Sequence, residues 1–61
     1  MKEFITKVKA FSSDSGPKNH RIAVDDDGTV RVWDGVADHY TTCHSLSAGQ
    51  KARLRKLAKD A

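Results

Sequence analysis

The chain has a single cysteine, Cys43, so it can form no internal disulfide, which suits a reducing compartment. It has no long apolar run, so neither a membrane span nor a secretory leader is expected, and the composition fits a cytoplasmic location. Internal repeats are absent. The one Gly-Pro-Lys stretch, residues 16–18, lacks the glycine spacing of a phosphate-cradling loop and is followed by no helical pattern. The aspartates cluster at turns without the spacing of an EF-hand, and no pair of carboxylates is set in an evident cleft. With 61 residues there is no core large enough to wall a substrate pocket. These shortages point away from an enzyme and from any cofactor.

One stretch does suggest metal chemistry. "HYTTCH" contains His39, Cys43 and His44, all potential zinc ligands. On a strand, however, Cys43 and His44 would face opposite ways, and His39 would lie ~13 Å from Cys43. The same separation defeats a Cys–His catalytic pair, which must be within hydrogen-bond reach. No metal site is expected.

What the chain does have is segregated charge. Residues 48–61 carry five cations, Lys51, Arg53, Arg55, Lys56 and Lys59, against Asp60, a balance of five minus one, or +4. Residues 1–47 carry six basic and seven acidic groups, or −1. The whole basic excess therefore sits on the last segment, as expected of a surface that meets a polyanion or an acidic protein.

Residues 22–32 alternate apolar and polar around an acidic turn. Pairing Val24 with Val30 and Ile22 with Val32 gives a constant residue sum, as antiparallel pairing demands, and keeps the apolar groups on one face. This register leaves Asp26-Asp27-Gly28 as a three-residue loop, with Gly28 in the left-handed position at its end. The stretch "DDDGTVRVWD" resembles the closing strand of a WD-repeat blade. A propeller needs several blades of about forty residues, however, so here the likeness reflects shared hairpin chemistry.

Elsewhere, "EFITKVKAF" (3–11) reads as a first strand, with a helix as its competitor because Phe4, Val8 and Phe11 also fit helical spacing. "SSDSGPKN" reads as a solvated connection, "DGVADH" as a second turn and "YTTCHSL" as a further strand. Ser47-Ala48-Gly49-Gln50 matches a capping box, which opens a helix from about residue 48. Leu54, Leu57, Ala58 and Ala61 make its apolar stripe.

The expected fold is α+β, in one domain over 1–61: a three- to four-stranded antiparallel β-meander with one C-terminal α-helix packed on one face (βββα). Ile22, Val24, Val30, Val32, Leu54 and Leu57 would form the core. Arg21, Ala23, Arg31 and Trp33 would line the other face, joined by His39, Thr41 and Cys43 if Tyr40 points inward. In outline this is similar to the DNA-binding arms of transposon-type integrases, a likeness of architecture alone.

Two functions follow as expectations. The first is a small non-enzymatic basic protein that binds nucleic acid, DNA or RNA, through Lys51, Arg55, Lys56 and Lys59. The second is a protein-interaction module, a small inhibitor or adaptor of phage- or plasmid-like kind. It would use Arg21, Arg31 and Trp33, residue types favoured at binding hot spots. So small a core also leaves room for a homodimer.

Overall fold

The computed structural model describes residues 1–60 and shows four antiparallel strands and one helix. These are β1 (Lys2–Val8), β2 (Lys18–Val24), β3 (Val30–Asp34), β4 (His39–Thr41) and α1 (Ala48–Asp60). The strands lie in chain order, β1-β2-β3-β4, as an open meander. The helix is expected to measure about 20 Å at 1.5 Å per residue, most of the molecule's 28 Å long axis.

The central hairpin has the expected register, with Val24 opposite Val30 and Ile22 opposite Val32. Asp25 N–H donates to Thr29 O at 2.9 Å and Gly28 N–H to Asp25 O at 2.9 Å, closing the three-residue loop. Gly28 takes a φ of 86°, which a side chain would strain. On the inner face one rung crosses the whole sheet: Phe4, Ile22, Val32 and Thr41 are successive partners. Ile22, Val32 and Val8 are fully buried there, and Leu54 and Ala58 of α1 close over them.

The helix stripe differs from expectation. Leu54 is fully buried, but Leu57 is 39% exposed, so the seam runs through Leu54 and Ala58. Both leucines lie on the same broad side of the helix, and the docking angle onto the sheet decides between them. Ala61 lies outside the described residues. At the helix start, Ser47 Oγ accepts from Gln50 N–H at 3.2 Å, as a cap should. The Gln50 carboxamide instead accepts from Arg53 at 3.4 Å.

Two strands are shorter than the composition suggests, each ended by a side chain that captures backbone amides. β1 stops at Val8, and Ala10 and Phe11 N–H donate to Asp14 Oδ2 at 3.0 and 3.2 Å. The segment that reads as solvated connection thus contains a buried carboxylate, only 8% exposed, and its last two residues, Lys18 and Asn19, belong to β2. β4 stops at Thr41, whose Oγ1 accepts from Cys43 N–H at 3.0 Å, so Cys43 to Leu46 are irregular.

Candidate functional site

α1 is positioned by its two buried residues and by one polar tether. Arg55 Nε donates to Gly28 O of the hairpin at 2.6 Å, across 27 residues of chain. Within the helix, i, i+4 spacing sets Lys51, Arg55 and Lys59 along the flank nearest the hairpin, with Lys56 and Arg53 on the solvent side. Arg53, Arg55, Lys56 and Lys59 are exposed and Lys51 is half-buried. Gly49 and Ala52, both exposed, lie between the cations on the outward face and keep it low. No carboxylate interrupts the helix before Asp60.

The expected cations are therefore brought to one element, though not all are equally free. Arg55 spends one donor on Gly28 and sits beside the acidic turn, lining a shallow depression with Asp25, Asp26 and Lys59. Lys51, Lys56 and Lys59 have no hydrogen-bond or ion-pair partner among the described residues. The acidic turn satisfies itself locally. Asp27 accepts from Thr29 N–H at 2.9 Å, and its bonds with Thr29 hold its carboxyl below the ordinary value. Asp25 pairs with Arg31, and Asp26 lies 3.9 Å from the N-terminal ammonium.

The opposite sheet face carries Arg21, Ala23, Arg31 and Trp33 as the alternation requires, and no helix among the described residues covers it. Tyr40 joins them, because the four-residue β3–β4 turn pairs it with Trp33. His39 and Thr41 consequently share the inner side with Asp34 and Val32, which corrects the alternative with Tyr40 inward. In that turn, Asp34 Oδ1 accepts from Val36 and Ala37 N–H at 2.9 and 3.2 Å, and Asp38 takes a φ of 60°. Such an arrangement is local Asx chemistry, tolerated by aspartate.

Trp33 is half-buried and meets Tyr40 edge-on, with ring centroids 5.2 Å apart. Tyr40 O–H reaches across the sheet to Glu3 of β1, donating at 2.6 Å. Ala23, paired with Glu3 and Arg31, is fully buried on this helix-free side. Burial first, then the bond and charge of Glu3, push the Tyr40 hydroxyl above its ordinary value of 10.0.

Sequence reasoning missed the pair formed by Asp14 and His20. His20 Nε2 lies 2.8 Å from Asp14 Oδ2, which already accepts two backbone amides. The hydrogen bond from His20, helped by those amides, holds the Asp14 carboxyl below 3.8 although burial pulls the other way. His20 also packs edge-on against Phe11 at 5.4 Å. Nothing in the local sequence of Asp14 marks it for burial.

Of the tempting metal ligands, His44 is tied to backbone. Val30 O can only accept, so Nε2 donates to it at 3.1 Å, and Nδ1 accepts from Leu46 N–H at 3.3 Å. His39 donates to Tyr40 O at 2.9 Å, and Cys43 is exposed. Among the described residues no group of three or more His, Cys, Asp or Glu is placed to hold a metal ion. An open groove of about 880 Å³ runs past Phe11, His20, Trp33, Val36 and His44, shaped by turns more than by convergent polar groups. No described helix is long and apolar enough to cross a membrane. No family model, curated protein or solved structure matches this chain.

Proposed function

We propose that the protein is a small non-enzymatic module that binds the phosphate backbone of nucleic acid through α1, along its solvent side and the flank nearest the hairpin. The observation that supports this reading is the set of cations Lys51, Lys56 and Lys59, which have no partner among the described residues, on a helix with no carboxylate before Asp60. Arg53 and the remaining donors of Arg55 extend it. Lysines that neutralise no protein carboxylate have only water and counterions to lose, and releasing counterions from a polyanion is favourable. The exposed Gly49 and Ala52 between them let a phosphate chain approach closely.

The test is fluorescence anisotropy of labelled duplex and single-stranded DNA at 50 and 200 mM salt. Three to four phosphate contacts correspond to a log–log salt slope of about −3 to −4, or roughly 100-fold weaker duplex binding across that range. Lys51→Ala, Lys56→Ala and Lys59→Ala should each flatten the slope by about 1. Absence of binding at 50 mM, or binding indifferent to salt, refutes the reading.

A second reading rests on the bare outer face of the sheet, where Trp33 is half-buried and Ile5 is 62% exposed. There Arg21, Arg31 and Trp33 would engage an acidic protein surface. Arg31 is already committed to Asp25, which weakens it as a free contact. Partner binding abolished by Trp33→Ala, yet untouched by the lysine variants, would favour this reading over the first.

A further inference from the structure

β1 is the outer strand of the sheet, hydrogen-bonded to β2 along one side only. It is seven residues long, continuously paired, and contains no proline or bulge to blunt it. Such an edge is a template for another strand. We propose that it pairs with β1 of a second copy, antiparallel and centred on Ile5, joining two meanders into one eight-stranded sheet. The proposal is independent of what α1 binds.

The register is chosen by the side chains of β1 itself, "KEFITKV". A two-fold axis through Ile5 sets Ile5 against its own mate, Glu3 against the partner's Lys7, and Lys7 against the partner's Glu3. Phe4 then faces Thr6 and Lys2 faces Val8. Ile5, 62% exposed in the single chain, loses that exposure against an identical side chain on the helix-free face. Each Ile5 is flanked on that face by a cross-chain carboxylate–ammonium pair, the arrangement that favours strand pairing. Moving the axis one residue either way sets Ile5 against Glu3 or against Lys7, and shortens the ladder. Only the Ile5-centred register uses all seven residues and leaves no like charges opposed.

Glu3 can serve both partners. One oxygen, Oε1, accepts from Tyr40 O–H at 2.6 Å, leaving Oε2 for the neighbouring lysine. Pairing of this kind keeps equivalent faces on the same side, so both copies of α1 lie on one surface of the joined sheet.

The test is sedimentation equilibrium of the full chain under reducing conditions, from micromolar to about 1 mM. The expected result is association to twice the 6.7 kDa chain mass. Glu3→Lys or Lys7→Glu alone turns two attractive cross-chain pairs repulsive and should weaken association on the order of tenfold or more. The double exchange, Glu3→Lys with Lys7→Glu, should restore it, and Tyr40→Phe controls for the lost tyrosine bond. Register is read by cross-linking in a Cys43→Ser background. Facing strand residues have Cα atoms about 4.5–5.5 Å apart, within disulfide range, so Ile5→Cys should form a dimer on oxidation and Lys7→Cys should not. Sedimentation as a monomer at 1 mM overturns the proposal. So does a dimer that ignores charge reversal at Glu3, or one in which Lys7→Cys links as well as Ile5→Cys; circular dichroism of each variant separates loss of pairing from loss of fold.

Discussion

Truncating the two helix leucines separately tests how α1 is held. Leu54 is fully buried at the centre of the seam and Leu57 is 39% exposed beside it. Leu54→Ala removes buried methyl groups above Ile22 and Val32, in a class of substitution that costs about 2–5 kcal/mol. For 61 residues, total stability at 0.05–0.15 kcal/mol per residue is about 3–9 kcal/mol. A loss near 3 kcal/mol, at about 4–8 °C per kcal/mol for a domain this small, lowers Tm by roughly 12–24 °C. Leu57→Ala, by contrast, should cost under about 1 kcal/mol because much of its side chain is already hydrated. Alanine's helix propensity favours both variants equally and cancels in the comparison. Thermal melts followed by far-ultraviolet circular dichroism, with urea titration followed by Trp33 fluorescence, give both values. Equal losses, or a larger loss for Leu57→Ala, would refute the docking through Leu54 and Ala58.

Two predictions concern pH. Tyr40 is the only tyrosine, so the phenolate absorbance near 295 nm reports it alone. Its midpoint should lie above 10.0, and Glu3→Gln should bring it down by removing a neighbouring negative charge while leaving the burial effect. Because the folded value is raised, the associated stability is complete below 10 and disappears as pH climbs through the folded value. A midpoint that Glu3→Gln leaves unmoved would mean that the bond to Glu3 does not persist in solution, and an unshifted midpoint would refute the burial of the hydroxyl as well. Asp14 runs the other way. Its depressed folded value makes its contribution complete above the ordinary 3.8 and lost as pH falls through the lower folded midpoint. Carbon-13 NMR titration should place the Asp14 carboxyl below 3.8, and His20→Ala should raise it; a midpoint indifferent to His20 would dismiss the pair.

The hairpin was readable because two constraints agree there. The apolar residues must share a face, and the turn needs a residue able to adopt positive φ at Gly28. The helix start was readable for a similar reason, since Ser47 acts within its own turn. What resisted reading depends on distant or geometric choices. Val8 ends β1 because Asp14, several residues on, folds back onto Ala10 and Phe11. The face of Tyr40 is set by the parity of a four-residue turn, and the exclusion of Leu57 by the tilt of a helix whose stripe is barely wider than one residue. The cations of α1 were legible as a group, but the engagement of Arg55 with the Gly28 carbonyl has no local signature.

The meander's strand order carries a consequence for assembly. Because each strand lies beside its predecessor in the chain, every pairing is between sequence neighbours, and such local topologies lie toward the fast end for sheet proteins. The lid over Ile22 and Val32 is supplied by Leu54 and Ala58, near the end of this sequence. Every strand precedes α1 in the chain, so the sheet keeps its apolar side wet until the helix docks, whatever order the strands pair in.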